Sequence, residues 1–127
     1  MAQVKVYGRR SAWAHRRDEL SDALHDALVR TWQLPAEKRF HRFLWLDDAD
    51  LVAPRGDAYL VVEVVCFTGR SDEAKRALVR ALFDDVAPRF DLPTDDLEVV
   101  ILESPQVNWG IRGRAGDELA LSYRVDV

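Results

Sequence analysis

The chain has 127 residues, a formal net charge of −4 and 48% hydrophobic residues, with four Trp among them. That is the size of one domain with enough apolar content for a real core, which excludes a disordered chain. The charge gives no general pull toward nucleic acid or anionic membrane, and no apolar run reaches the ~20 residues that span a bilayer. Polar residues by position 8 argue against a signal peptide. The single cysteine, Cys66, cannot close an internal disulfide, which fits a reducing, cytoplasmic setting.

Val4 and Val6 alternate with Gln3, Lys5 and Tyr7, the period of a half-buried strand. Leu20, Ala23, Leu24, Ala27 and Leu28 then form an apolar stripe at helical spacing. Ser11 is placed to cap that helix, and Pro35 bars its continuation past Leu34. Phe40 to Leu46 reads as a second strand, and Asp47 to Asp57, with Pro54 and Gly56, as a loop. Ala58 to Phe67 is nearly continuous in apolar residues, as in a strand covered on both faces. Ser71 caps the next helix, with Asp72 and Glu73 against the positive end of its dipole. Its stripe is Ala74, Leu78, Ala81, Leu82 and Val86, and Leu97 to Leu102 is a fourth strand. In the remaining tail, residues 105–127, Gly110, Gly113 and Gly116 predict a turn-rich or mobile stretch. Leu119, Leu121, Tyr123 and Val125 then alternate as in one more strand.

The two halves, residues 3–46 and 58–103, align without a gap at an offset of 58. Val4, Val6, Leu20, Ala23, Leu24 and Asp26 recur as Val62, Val64, Leu78, Ala81, Leu82 and Asp84. Leu34-Pro35 recurs as Leu92-Pro93. A repeat of this kind marks one supersecondary unit used twice, here strand–helix–strand. Each helix is long enough to cross between parallel strands, so the reading is a single α/β domain of duplicated β-α-β units. Both helices lie on one face of a mixed sheet, with a C-terminal strand added. The opposite face is expected to be bare and apolar and to pack against other copies of the chain. The C-terminal strand is a candidate to pair with a neighbour's sheet edge.

These features resemble the tautomerase superfamily, and within it the malonate semialdehyde decarboxylase-like branch, along essentially the whole chain. The most specific pieces are Pro35-Ala36-Glu37-Lys38-Arg39-Phe40, Gly69-Arg70-Ser71-Asp72-Glu73-Ala74-Lys75-Arg76-Ala77-Leu78 and Asn108-Trp109-Gly110. The resemblance implies a homotrimer with sites near the chain N-termini, to which neighbouring subunits contribute. It implies chemistry on an amino-terminal proline, but Ala2 stands at that position. Lys38 stands where the decarboxylase carries an aspartate important to catalysis. Of the decarboxylase's paired arginines, one matches Arg70 and the other falls on Thr68.

If Met1 is removed, Ala2 becomes a primary amine with a reference pKa of ~7.7–8.0, which an apolar pocket lowers toward the range of a general base. Such an amine also condenses with a carbonyl to a Schiff base. Arg70, between a buried strand and a capped helix, either holds a substrate carboxylate or pairs at the surface with Asp72 or Glu73. Trp109 either walls an apolar pocket or packs at a subunit contact. Arg39, Arg112 and Arg114 are more often solvated or interfacial, although Arg39 matches the family motif. Glu37 reads as an exposed turn carboxylate, His25 as structural and Cys66 as core. His15, His25 and His41 show no metal-ligand spacing, and no nucleophile elbow, P-loop or dinucleotide fingerprint is present, so no metal or cofactor is expected.

Two functions are therefore expected. One is an enzyme acting on a small oxo carboxylic acid by keto–enol tautomerisation or decarboxylation, with Ala2 catalytic and Arg70, Trp109 and Arg39 binding substrate. The other is a catalytically inactive trimeric homologue with a small-carboxylate-binding or structural role. A ferredoxin-like fold shares the element order and differs in strand order.

Overall fold

The structure is a computed structural model that describes residues 2–119 and 124–127. Strand β1 (Ala2–Arg9) alternates as its sequence requires, burying Ala2, Val4, Val6 and Gly8. The chain then enters one helical turn, α1 (Arg10–Trp13), a 3-10 turn and the long α2 (Arg17–Trp32). Helix thus begins at Arg10 without a cap at Ser11, whose hydroxyl instead donates to Asp48 Oδ1 at 2.8 Å. Trp13 pins this first turn: its ring is buried, and its indole N–H donates to the Ala58 carbonyl at 2.9 Å. Helix α2 ends because Gln33 adopts a left-handed φ of 55°, its N–H donating to the Val29 carbonyl at 3.1 Å.

Strand β2 (His41–Leu46) starts one residue later than expected, and β3 (Leu60–Phe67) two residues later. Ser71 does cap α3 (Asp72–Ala81), its Oγ accepting from the Ala74 N–H. Helix α3 runs on into a wider π-type turn, Leu82–Val86. Strand β4 (Leu97–Ser104) extends two residues past the expected end.

The strand order is β2-β1-β3-β4, with β1 parallel to β2, β3 parallel to β4 and β1 antiparallel to β3. No strand separates β1 from β2, so this is not the split β-α-β arrangement of ferredoxin-like folds. In the central pairing Val4 faces Val64, Lys5 faces Glu63 and Val6 faces Val62. Each residue thus meets the repeat of its mirror neighbour, and a local two-fold axis passes between Lys5 and Glu63. Those two side chains form an ion pair of 3.5 Å, and Tyr7 Oη donates to the same Glu63 oxygen at 3.1 Å.

The core lies between sheet and helices, where Val4, Val6, Val62, Val64 and Cys66 meet Leu20, Leu24, Leu28, Leu78 and Leu82. The helix-free face is not uniformly apolar, contrary to expectation. Leu44, Val61, Val65, Val100 and Leu102 share it with Lys5, Arg42, Glu63 and Glu98, as the strand registers require. Leu44 on the β2 edge and Val100 and Leu102 on the β4 edge are about two-fifths exposed (38%, 41% and 43%), so exposed apolar side chains remain at both edges of this face. In the tail, β5 (Gly110–Ile111) and β6 (Arg114–Ala115) form a small hairpin. Arg112 and Gly113 at its tip both take positive φ, the twist a two-residue hairpin turn needs. The further strand expected over Leu119–Val125 falls largely on residues 120–123, outside the described residues. Among the described residues, no helix is long and apolar enough to cross a membrane.

Candidate active site

The topology gathers several ends in one place. Because β1 is antiparallel to β3, the start of β1 lies beside the ends of β3 and β4. Helix α2 ends and α3 begins at that same end of the sheet. Ala2 pairs with Cys66 across β1 and β3, and Cys66 pairs with Glu103 across β3 and β4, so the three form one rank on the helix-covered face. Ala2 is 5% exposed and Cys66 is fully buried.

Arg70 leaves the turn after β3 and points inward. It is 4% exposed, and its guanidinium carbon stands 4.3 Å from the Trp32 ring centroid. Nη1 donates to the Phe67 carbonyl at 3.4 Å. This is a buried cation stacked on an aromatic face, not the surface ion pair with Asp72 or Glu73 that the helix start also allowed. Trp32 is itself fixed, buried with its indole N–H donating to the Ala74 carbonyl at 2.9 Å. The Arg70 charge reaches the Cys66 thiol, where it opposes the upward push of burial on that group's pKa.

Trp109 packs edge-on against Phe67, the residue after Cys66, with ring centroids 5.1 Å apart. Its indole N–H donates to the Ser104 carbonyl at 3.3 Å, and its own carbonyl accepts from the Gly116 N–H at 2.8 Å. Ala2, Arg70 and Trp109 are therefore brought to one end of the sheet. Arg39 is not aimed at them: it is exposed and bound to Asp22 of α2, Nη1 to Oδ1, at 2.6 Å. That contact holds the Asp22 carboxyl below its usual pKa. Lys38 closes the preceding turn through its backbone N–H to the Pro35 carbonyl, and Thr68 is exposed at the end of β3.

A pair that sequence reasoning missed lies in the same rank. Lys75 Nζ is 2.6 Å from Glu103 Oε1, with both side chains about a quarter exposed (27% and 26%). The carboxylate raises the Lys75 pKa, so the ammonium stays charged at neutral pH. The only hint in the sequence was the broken repeat, since Glu103 stands where the first unit has Trp45.

Two of the histidines, His25 on α2 and His41 on β2, form a separate cluster. His25 is buried, with Nε2 2.7 Å from the Ala36 carbonyl. The carbonyl can only accept, so a neutral His25 carries its proton on Nε2. His41 Nδ1 lies 2.8 Å from Ser21 Oγ, and the two rings meet edge-on at 5.8 Å. Burial, then the nearby His25 and Arg39 charges, push the His41 pKa down to about 4, against a small opposing effect of Asp22. Among the described residues, no group of three or more His, Cys, Asp or Glu could hold a metal ion.

The geometry meets known proteins at several points. A sequence profile of the tautomerase enzyme family matches residues 38–112. The 2-hydroxymuconate tautomerase of Stutzerimonas stutzeri is 33% identical over 55 residues, which are 87% of that protein and 43% of this chain. Its counterpart from Pseudomonas putida is 30% identical over 59 residues, 94% of that protein and 46% of this chain. These short relatives therefore correspond in length to one strand–helix–strand unit. The crystal structure of native fused 4-OT matches with a TM-score of 0.83 at 25% identity, covering 92% of this chain and 98% of that one. A malonate semialdehyde decarboxylase inhibited by 3-bromopropiolate shares the fold, with a TM-score of 0.80 at 24% identity over 94% of this chain and 98% of that one. The chain belongs to the tautomerase enzyme family and carries two of its strand–helix–strand units in tandem.

Proposed function

We propose that the protein acts on a small 2-oxo or 3-oxo carboxylic acid, by keto–enol proton transfer or decarboxylation. The observation that carries this reading is the Arg70 guanidinium, buried against Trp32 at the sheet end where β1 begins. A desolvated guanidinium is a strong binder of carboxylate, and the N-terminus of α3 adds favourable partial charge. Trp109, packed edge-on against Phe67, lies at the same end of the sheet.

With Met1 removed, the Ala2 amine stands at the same end. As a free base it takes the enol hydroxyl proton and returns a proton to carbon, giving the keto acid. On a 3-oxo acid it adds to the carbonyl and expels water, leaving an iminium. The iminium accepts the electron pair released as carbon dioxide departs, and protonation at carbon and hydrolysis regenerate the amine. A primary amine is less constrained than the proline of the family pattern, so turnover is expected to be slow.

The assembly is proposed to be a homotrimer in the cytoplasm. The exposed apolar residues of the helix-free face, Leu44 at one edge and Val100 and Leu102 at the other, support assembly, as does the trimeric state of fused 4-OT proteins of this fold. A second reading, carboxylate binding without turnover, draws on Ala2, Lys38 and the commitment of Arg39 to Asp22. Ketonisation of phenylenolpyruvate, followed by ultraviolet absorbance with intact mass measured on the same sample, separates the two. Turnover that requires loss of Met1 and disappears on acetylating the amine supports the enzyme. No turnover from trimeric, processed protein across enols and oxo acids, with malonate still bound, supports the binder.

A further inference from the structure

The geometry points to Ser71 as a positioning residue that straps the segment 124–127 across the Gly69–Arg70 turn and so holds Arg70 in its binding pose. One hydroxyl does two jobs. Ser71 Oγ accepts from the Ala74 N–H at 3.1 Å, which caps α3, and donates to the Val127 main-chain oxygen at 2.8 Å. The Ser71 backbone N–H donates to the same Val127 oxygen at 3.2 Å. Two donors on one oxygen fix the segment at its far end.

A second contact fixes it two residues earlier. Gly69 has φ 144°, and a Cβ on it would stand 3.1 Å from the Val125 carbonyl oxygen and 3.6 Å from a Val125 methyl. The segment therefore lies close against the Cα of Gly69, whose positive φ is itself a conformation that favours glycine. On either side of the Val125 anchor, Arg124 and Asp126 form a two-bonded ion pair, at 3.0 and 3.3 Å. Arg70 is the residue between the two anchor points. Its side chain passes inward to Trp32, while its chain neighbours Gly69 and Ser71 meet the strap. Turns after strands are among the least stable parts of a fold, and a strap tied to both flanking residues removes that freedom at the cation. A preorganised guanidinium binds carboxylate more tightly than one that must first be ordered.

The part of this inference that concerns Arg70 rests on reading it as the carboxylate binder; the strap itself does not. Ser71→Asp separates the roles. Aspartate keeps an acceptor for the Ala74 N–H, but it has no hydroxyl proton for Val127 and places negative charge against that oxygen. Gly69→Ala displaces the strap at the other anchor and stands in if Ser71→Asp does not fold. Ser71→Thr keeps both bonds and is expected to behave as the parent.

Hydrogen exchange is read on the amide of residue 71 and on the α3 amides, and malonate affinity from tryptophan fluorescence. In Ser71→Asp the amide of residue 71 is expected to exchange at least roughly tenfold faster with the α3 interior unchanged, and malonate to bind roughly fivefold more weakly. Unchanged exchange at residue 71 in both variants would overturn the strap. Faster exchange with parental malonate affinity would overturn the positioning of Arg70. If the parent binds no malonate, the reading of Arg70 as a carboxylate site fails, and exchange alone decides the strap.

Discussion

Arg70 and His41 show how burial assigns different work to two basic side chains. The Arg70 charge is permanent, so desolvation leaves it cationic and the Trp32 face replaces part of its lost hydration. Arg70→Lys keeps the charge and loses the planar stack and the two-point grip. Malonate affinity, read by fluorescence titration, is expected to fall roughly tenfold, with the tryptophan emission shifted by the uncovered Trp32. His41 responds in the opposite way, giving up its charge. Its folded pKa of about 4 lies below the ordinary 6.5, so between those pH values the unfolded chain takes up a proton that the folded chain refuses. Stability is then expected to be independent of this group above pH 6.5. It should fall as the pH drops through the window, by at most about 3 kcal/mol and less after solvent screening of a half-buried ring. His41→Asn retains an acceptor for the Ser21 hydroxyl and cannot titrate. Chemical denaturation at pH 7 and pH 4.5 should show the difference between parent and variant shrinking or reversing at the lower value.

At the scale of elements, the ends of helices decide what the chain can present. Helix α2 stops at Gln33, a non-glycine residue held at φ 55°, exposed and bonded only through its backbone to Val29. Gln33→Gly removes the Cβ penalty of the left-handed conformation and is expected to stabilise the fold by about 1 kcal/mol, seen as a higher denaturation midpoint with an unchanged slope. The four strands of the main sheet, the second helix cap and the helix stripes were legible in the sequence because these follow local period and side-chain chemistry. It misplaced the first cap for a physical reason: Ser11 is near enough in space to bond Asp48, while Trp13 anchors a short turn ahead of the main helix. Neither contact leaves a mark in the local pattern. Ala2, Arg70 and Trp109 were legible as candidates, and their shared location follows from the antiparallel join of the two units. The Lys75–Glu103 pair and the strap over Gly69 were not, since both depend on contacts between segments 28 or more residues apart. Arg39 shows the reverse case, a motif residue whose guanidinium is taken by Asp22 across the helix surface.

For the whole molecule, the two-fold relation between the halves determines which surface is left to make an assembly. Both crossovers place their helices on one face, so every residue at odd register with Val4 or Val62 faces the other way. On that face the charged row is satisfied internally, with Lys5 against Glu63 and Arg42 Nη2 donating to the Gln3 side-chain oxygen at 2.9 Å. Leu44, Val100 and Leu102 have no such internal arrangement and keep about two-fifths of their surface in contact with solvent. Internally paired charges cost less to bring into an interface than unpaired ones, and the exposed apolar residues supply the driving force. Leu102 sits beside Val65 on this face, on β4, clear of the helix-side core. Leu102→Asp should therefore leave the fold of one chain intact, as judged by far-ultraviolet circular dichroism, while placing a charge among the exposed apolar residues of this face. Light scattering is expected to move from about three times the 14.5 kDa chain mass to that of one chain. A parent that already scatters as a single chain would remove the trimer, and with it any contribution of a neighbouring chain to the Ala2 site. Binding at Arg70 would survive that result, because its cation, its aromatic support and its strap all come from one chain.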